Sequence, residues 1–372
     1  MNQNVKIINL IQNVATPHNN ALIGRFKNDK RTKLILWYER CHDAQKYHWK
    51  KDLTNEHFQA NVYGSKINWK FLRYCLLNKN HTYFIVGWSN ANTRLLHLLF
   101  FVFRRPFNHW TDLPRSLDSS DSLIRKIKRK LSYLILRYSV AKVFCVGKLT
   151  INFFKKEGFS ASQLVNLPIF VETNILPQSF HSQRNTIFSK YGINENSFVL
   201  SSGSRIVYEK GYDLLLRGLS SLSFGIRKNI KLFIVGCGEQ LSSIMKLASE
   251  LMLNEQVIFV KWLEIEDFMS LIANSDVFIH PARVDAYGGT ILGMALGVPV
   301  IGSTGAGAAV DRIDHGLNGF LYEVEDTLAL ANYIEQLYRN PRLRSDMAIQ
   351  ARKTALSWPP EAGVEIILQN AI

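Results

Sequence analysis

The chain of 372 residues is long enough for two domains, and its 47% of hydrophobic residues excludes a globally disordered protein. Its four cysteines lack paired spacing, which argues against a disulfide framework and against a zinc site. The net charge of +15 is concentrated in one half: residues 1–172 carry 28 Lys and Arg against 10 Asp and Glu, whereas residues 173–372 carry 17 against 20. We therefore expect two domains with different partners, the basic one meeting something anionic.

The N-terminal half is predicted to be a mixed α/β domain. Apolar segments indicate strands at residues 5–11, 33–38, 83–88, 106–111 and 142–147. Prolines cluster where the charge changes, near residue 172, and this predicts a domain boundary there.

A basic segment in this half, "DSLIRKIKRKLSYLILRYSV" at residues 121–140, is predicted to be an amphipathic helix, because its apolar residues recur at helical spacing. Its five clustered basic residues are Arg125, Lys126, Lys128, Arg129 and Lys130. Such a helix is able to lie on an anionic membrane surface. The alternative is a helix packed on its own domain with a solvated basic face. Nucleic acid is not expected as the partner, because the sequence has no nucleic-acid-binding signature.

The C-terminal half alternates apolar strands with helices of 10 to 14 residues, which predicts a parallel sheet covered on both faces. The predicted strands are residues 197–204, 230–238, 256–260, 276–281, 299–303 and 319–324. The predicted helices are residues 211–222, 239–252, 264–275, 290–297 and 326–339. In such sheets ligands bind at the carboxyl ends of the strands.

Two loops at these strand ends carry candidate ligand-binding residues. In "SSGSRIVYEKG", Arg205 and Lys210 follow a strand and precede a helix, as cations that bind phosphate do. In "HPARVDAYGGT", Asp285 precedes Gly288, Gly289 and Thr290, whose backbone N–H groups are suited to a diphosphate. The alternatives are solvated surface cations in the first loop and ordinary tight turns in the second.

Within residues 200–356 the two loops are accompanied by four further motifs: "FIVGCGE", "VIFVKW", "ALGVPVIGSTGAG" and "DHGLNGFLY". The segment resembles the C-terminal domain of the GT4-type retaining glycosyltransferases. The resemblance implies the GT-B fold: two Rossmann-like domains with parallel sheets, facing across a cleft. It also implies an acceptor-binding domain at residues 1–172 and a nucleotide-sugar-binding domain at residues 173–356. A last helix, at residues 357–372, is expected to pack back on the N-terminal domain.

The resemblance implies a role for each candidate residue. Arg205 and Lys210 would bind the donor pyrophosphate and stabilise the departing nucleoside diphosphate, and Asp285 would contact the donor sugar. The other expected donor-binding residues are Gly203, Trp262, Gly288, Gly289 and Thr290. The family carries a second glutamate eight positions after the first, which corresponds here to Gly293 and predicts a missing ribose contact. No Asp-x-Asp triplet occurs in the sequence, which agrees with an enzyme that needs neither metal nor cofactor.

The N-terminal half offers His109 and Asp112, in "RPFNHWTDLP", because the family often has a histidine at a strand end that contacts the donor sugar. The alternative for His109 is a core histidine that points inward from the strand.

We therefore expect a retaining glycosyltransferase that moves a sugar from a nucleoside diphosphate sugar to a glycan acceptor, lipid-linked and part of bacterial surface polysaccharide or lipopolysaccharide assembly. It would work at the cytoplasmic face of the cell membrane as a peripheral protein. The alternatives are a binding subunit that has lost turnover and a nucleotide-sugar epimerase of the same fold.

Overall fold

The computed structural model describes residues 5–40, 55, 57–88, 90–115, 121–172, 180 and 184–372. The chain divides into two compact units. The first consists of Met1–Phe170 together with Pro360–Ile372, and the second of Val171–Pro359. The expected boundary at residue 172 adjoins residues 173–179, which lie outside the described residues.

The first unit is built on a parallel sheet of seven strands in the order β3-β2-β1-β4-β5-β6-β7. The strands are β1 (Lys6–Gln12), β2 (Thr32–Tyr38), β3 (Asn61–Val62), β4 (Thr82–Val86), β5 (Phe107–Thr111), β6 (Ala141–Cys145) and β7 (Leu164–Asn166). The helices are α1 (Pro17–Arg25), α2 (Trp69–Leu77), α3 (Ala91–Val102), α4 (Leu123–Tyr138) and α5 (Gly147–Lys156). The predicted strands of the N-terminal half are thus present as β1, β2, β4, β5 and β6.

The helices of this unit begin where the sequence supplies a capping side chain. Thr16 accepts the backbone N–H of Asn19 before α1, and Asn68, Asn90 and Ser122 cap α2, α3 and α4 in the same way. Each cap satisfies an N–H that a helix start leaves without an intrahelical partner. Polar residues between the strands therefore set the helix starts.

The C-terminal helix of the chain, α15 (Pro360–Asn370), also belongs to the first unit. It packs against α1, and Arg25 pairs with Glu361 at 2.7 Å. Arg31 pairs with Glu365 at 2.5 Å, and Lys6 donates to the carbonyl of Ala371 at 2.9 Å. The end of the chain is thereby attached to the edge of the first unit at which β1 begins.

The second unit is built on a parallel sheet of six strands in the order β10-β9-β8-β11-β12-β13. The strands are β8 (Phe198–Gly203), β9 (Ile230–Val235), β10 (Val257–Val260), β11 (Val277–His280), β12 (Val300–Ser303) and β13 (Gly319–Tyr322). The helices are α6 (Arg184–Tyr191), α7 (Tyr212–Ser220), α8 (Phe224–Arg227), α9 (Leu241–Glu250), α10 (Ile265–Ala273), α11 (Thr290–Ala295), α12 (Gly307–Arg312), α13 (Thr327–Arg339) and α14 (Pro341–Leu356).

The four central strands of the second sheet, β9, β8, β11 and β12, are almost wholly buried, as expected for a parallel sheet with helices on both faces. All six strands predicted for the C-terminal half are present, so the expectation of two parallel α/β sheets is confirmed. Within the described residues, no helix combines the length and the hydrophobicity needed to cross a bilayer.

Candidate functional site

The second sheet changes direction between β8 and β11. From β8 the chain moves outward through β9 to β10, and from β11 it moves the other way through β12 to β13. At such a switch point the loops after the two central strands diverge and leave room for a ligand at their carboxyl ends. The loop after β8 carries Arg205 and Lys210, and the loop after β11 carries Asp285.

The two loops meet through Lys210 and Asp285. The Lys210 Nζ lies 2.5 Å from the Asp285 Oδ2, and the two side chains are only 14% and 13% exposed. Gly211 makes this approach possible: its φ of 67° favours glycine, and a Cβ there would lie 2.1 Å from the carbonyl oxygen of Pro281. The sequence therefore brings a cation and an anion together at the switch point.

Asp285 has a second partner in His280, the last residue of β11. The His280 Nε2 lies 3.0 Å from the same Oδ2, and the His280 Nδ1 lies 2.9 Å from the Thr290 Oγ1. Burial by itself raises the pKa of the Asp285 carboxyl, but the hydrogen bond from His280 and the charge of Lys210 outweigh it and hold the pKa below its usual range. Asp285 is therefore ionised at neutral pH.

The glycines of this loop pack tightly. A Cβ at Gly288 would lie 2.9 Å from both the Asp285 Oδ2 and the His280 Cε1, and a Cβ at Gly289 would lie 2.4 Å from the Phe278 ring. The turn at Gly288, just before α11, is thus packed directly against the carboxylate.

The second glycine-rich turn, "TGAGAAVD", supports the Asp285 loop through its backbone. Asp285 donates its N–H to the carbonyl of Gly305 at 2.9 Å, and Gly307 donates to the Asp285 carbonyl at 2.8 Å. Cβ atoms at Gly305 and Gly307 would lie 2.2 Å and 2.0 Å from carbonyl oxygens of the Asp285 loop. These glycines therefore allow two backbones to come into contact.

Arg205 is exposed in the loop after β8. Among the described residues, no hydrogen bond or ion pair joins its guanidinium to Lys210 or Asp285. Gly203, at the end of β8, lies beneath the ring of Phe268, with the ring 2.5 Å from the place of a Cβ. Trp262 is half-buried after β10, two strands from β8 along the same edge. The structure thus brings Lys210, Asp285, Gly288 and Thr290 together, with Arg205 and Trp262 farther along this edge.

A family model decides what kind of domain carries this site. The model, described as glycosyl transferases group 1, matches residues 183–354. Residues 183–354, somewhat less than half of the chain, are thus similar to the glycosyl transferases group 1 family.

Two curated relatives of this domain are named as sugar transferases. A GDP-mannose-dependent monoacylated alpha-(1-6)-phosphatidylinositol monomannoside mannosyltransferase of Corynebacterium glutamicum is 27% identical over 251 residues, which is 65% of this chain and 61% of that protein. The capsular polysaccharide biosynthesis glycosyltransferase CapM of Staphylococcus aureus is 30% identical over 232 residues, 61% of this chain and 55% of CapM. The matches thus span less than two thirds of the length of these relatives.

Solved structures match nearly the whole chain. Anabaena HepE in complex with UDP has a TM-score of 0.76 at 18% identity, covering 98% of each chain. The lipopolysaccharide outer core galactosyltransferase WaaB has a TM-score of 0.72 at 14% identity, also covering 98% of each. These likenesses show that the group 1 domain and the first unit together have the GT-B fold.

In the first unit, His109 lies on β5 with no exposed surface. Its Nδ1 lies 3.0 Å from the His97 Nε2, and the ring of Trp88 stacks on it with centroids 4.7 Å apart. Burial, with the neighbouring His97, holds the pKa of His109 well below its usual value. The structure thus places His109 as a core histidine, the alternative that the sequence left open. Asp112 is exposed just beyond β5.

The basic helix α4 packs on the first unit through Tyr133 and Leu136, which are buried. Two of its arginines contact neighbouring residues of the same unit: Arg125 pairs with Asp121, and the Arg129 guanidinium lies over the ring of Tyr133. The apolar stripe predicted from the sequence is largely exposed: Leu123, Ile124, Ile127, Leu131, Leu134 and Tyr138. The helix therefore presents an apolar stripe to solvent, with Lys128 and Lys130 exposed among these residues.

Gly293 lies on the face of α11 that packs on the sheet. A Cβ at Gly293 would lie 3.0 Å from Val300 and 3.2 Å from Phe278, both on the sheet beneath α11. A Cβ at this position would thus be crowded against the core, and the missing ribose contact stays a prediction. Its neighbour Leu292 is the half-exposed residue of this turn.

Two residues of the site were missed by reasoning from the sequence. One is His280, which ends an otherwise apolar strand, and that interruption was the available signal. The other is Arg283, which binds both carboxylate oxygens of Asp213 at 2.7 Å and stacks over the Tyr208 ring at 4.2 Å. Because Tyr208 begins the turn that ends at Lys210, Arg283 fastens the Lys210 loop to the Asp285 loop.

Proposed function

We propose that the protein is a retaining glycosyltransferase that moves a sugar from a nucleoside diphosphate sugar to a glycan acceptor. The observation that carries the proposal is the buried contact between Lys210 and Asp285 at the switch point of a group 1 domain. A cation suited to a diphosphate there adjoins a carboxylate suited to sugar hydroxyls. The Corynebacterium relative is named for a GDP-sugar donor, and HepE was crystallised with UDP, which supports a nucleoside diphosphate donor.

In the proposed reaction the acceptor hydroxyl attacks the anomeric carbon on the face from which the diphosphate departs. The bond from that carbon to the phosphate oxygen breaks, the new glycosidic bond forms, and the hydroxyl proton passes to a departing phosphate oxygen. Lys210 and Arg205 would stabilise the charge on that diphosphate without a metal, and the first turn of α11 would offer backbone N–H groups. Asp285 would accept hydrogen bonds from the donor sugar. Gly203 and Trp262 would line the donor.

The test is a thermal unfolding scan with UDP, GDP, ADP and CMP, followed by an assay of labelled sugar transfer. At least one nucleoside diphosphate is expected to raise the Tm, because a ligand at 100 times its Kd adds about 2.7 kcal/mol to the free energy of unfolding. The shift and the transfer are expected to weaken in Arg205→Ala. A chain whose Tm responds to no nucleotide would instead be a binding subunit without turnover.

We propose further that the acceptor is lipid-linked and that α4 brings the enzyme to an anionic membrane, at the cytoplasmic face of a bacterial cell membrane. The apolar stripe of α4 is exposed, with Leu123 72% and Tyr138 67% accessible, and lysines accompany it. Apolar side chains entering the headgroup region and lysines near anionic lipids both favour binding. The names of the curated relatives, a phosphatidylinositol mannoside enzyme and a capsule enzyme, support glycan assembly on a lipid.

The double variant Ile127→Gln, Leu131→Gln is expected to bind phosphatidylglycerol vesicles roughly a hundredfold more weakly, because each side chain stops contributing about 1.5 kcal/mol of apolar transfer. Sedimentation with pure phosphatidylcholine vesicles measures the apolar contribution to binding. Sedimentation with phosphatidylglycerol vesicles adds the contribution of the lysines near anionic lipids. The control is Ile349→Gln, an isolated exposed residue of the second unit that is 62% accessible. Equal binding of the double variant and the wild type would refute the membrane role of α4.

A further inference from the structure

We propose that His280 is a positioning residue for sugar transfer, which fixes the Asp285 carboxylate through a hydrogen-bonded chain that runs from Thr290 through the imidazole to Asp285. The proposal rests on the proposed function, in which Asp285 binds the donor sugar. It adds a residue to which neither the sequence motifs nor the family resemblance assigned a role.

The chain of contacts is short and buried. The His280 Nε2 lies 3.0 Å from the Asp285 Oδ2, and because a carboxylate only accepts, this nitrogen carries the proton. The His280 Nδ1 lies 2.9 Å from the Thr290 Oγ1, so the ring is held from both sides. His280 is 6% exposed and Thr290 has no exposed surface. The ring therefore has one orientation, and the carboxylate follows it.

The surroundings of the ring leave it little freedom. His280 ends β11 and pairs with Gly302 of the neighbouring strand β12. A Cβ on Gly288 would meet both the imidazole and the carboxylate at 2.9 Å, so that glycine allows the turn to close against them. The imidazole is thus built into rigid elements, whereas Asp285 lies in a loop.

The reaction creates the need for such a support. Lys210 and His280 both contact the same oxygen of Asp285. A diphosphate bound at Lys210 would compete for the ammonium hydrogens, and the carboxylate would then depend on its second partner. The diphosphate would not compete for the hydrogen bond from His280. His280 therefore keeps the carboxylate in place while Lys210 stabilises the leaving group. Small displacements of a positioning group slow catalysis strongly, so we expect the loss of His280 to lower kcat.

The experiment compares His280→Leu with His280→Gln. Leucine removes both hydrogen bonds, and kcat is expected to fall about 30- to 100-fold, whereas the Tm shift produced by the nucleoside diphosphate alone stays within error. Glutamine places an amide donor near the position of Nε2, and kcat is expected to recover to within about fivefold of the wild type. Thr290→Val, which keeps the shape and removes the hydroxyl, is expected to lower kcat about five- to tenfold.

The matched control is His315→Gln. Within the described residues this histidine of the same unit hydrogen-bonds to the backbone of Leu321, and its replacement is expected to leave turnover unchanged. The proposal is overturned if His280→Leu keeps kcat within twofold of the wild type. It is equally overturned if His280→Gln, folded with the wild-type Tm, is no better than His280→Leu.

One readout does not need turnover and so separates this proposal from the proposed function. In a double-mutant cycle, His280→Leu and Asp285→Ala are expected to lower the Tm by less together than the sum of their separate effects, because either change removes the hydrogen bond between these residues. Additive effects would overturn the positioning role even in an active enzyme. If the wild type transfers no sugar but the two Tm effects are non-additive, the proposed function is refuted, whereas the contact between His280 and residue 285 is supported.

Discussion

Replacing Lys210 by alanine is expected to lower the rate of sugar transfer by about 10²- to 10³-fold, the loss seen when one fixed electrostatic group is removed from a charged transition state. Lys210 is held at the switch point of the second sheet, where the departing diphosphate gains charge in the proposed reaction. Arg205, which would share the charge of the diphosphate, has no ion pair with Asp285 among the described residues, so it does not replace Lys210 beside that carboxylate. The measurement is transfer of labelled sugar at saturating donor.

The same change has a cost in stability, which must be separated from the cost in rate. Removing one partner of a buried ion pair costs about 3 kcal/mol or more, because the other charge stays buried. The double variant Lys210→Ala, Asp285→Asn is therefore expected to recover Tm without recovering turnover. The control is Lys246→Ala, because Lys246 is 78% exposed and its pair with Glu250 on α9 is worth little. Turnover of Lys210→Ala close to that of Lys246→Ala would contradict the assignment.

Much of the fold is readable from the sequence, because a strand buried on both faces must be apolar along its whole length. That pattern located β1, β2, β4, β5, β6 and all the strands of the second sheet. The strands that escaped prediction, β3 and β7, have only two and three residues. Strands this short carry no periodicity of their own, and their pairing is fixed by the neighbouring strand.

The site was predictable at the level of loops and less so at the level of contacts. Arg205, Lys210 and Asp285 were found because charged residues at strand ends are conspicuous against apolar strands. That Lys210, and not Arg205, contacts Asp285 depends on the turn at Gly211, whose geometry is set by a carbonyl 70 residues away. The partners His280 and Arg283 join through space, and no local spacing in the sequence marks such contacts.

The orientation of the His109 ring could not be predicted from the sequence either. A histidine near the end of a strand has the same sequence signature whether its ring faces a ligand or the core. The decision depends on α3, which carries His97, and on the ring of Trp88, both distant in sequence. Only packing between elements separates the two interpretations.

The second prediction concerns the effect of Gly293→Glu on nucleotide binding and on stability. If the glycine marked a lost ribose contact, Gly293→Glu would restore a carboxylate to the donor site and strengthen nucleotide binding. The structure instead predicts a loss of stability, because a Cβ there already lies 3.0 Å from Val300 and 3.2 Å from Phe278. We expect Gly293→Glu to lower the free energy of unfolding by about 4 kcal/mol or more, since it combines overpacking with a buried carboxylate.

Two neighbouring changes isolate the cause. Gly293→Ala adds only the Cβ, and its better helix propensity of about 1 kcal/mol offsets part of the crowding, so its Tm is expected to change little. Leu292→Glu places the same carboxylate one residue earlier, on the half-exposed side of α11, and is expected to cost about 1–2 kcal/mol. Thermal unfolding and nucleotide titration of the three variants are the measurement. A folded Gly293→Glu that binds nucleoside diphosphate more tightly than the wild type would show that this face of α11 opens to the donor, and that the packing against Val300 and Phe278 does not govern the position.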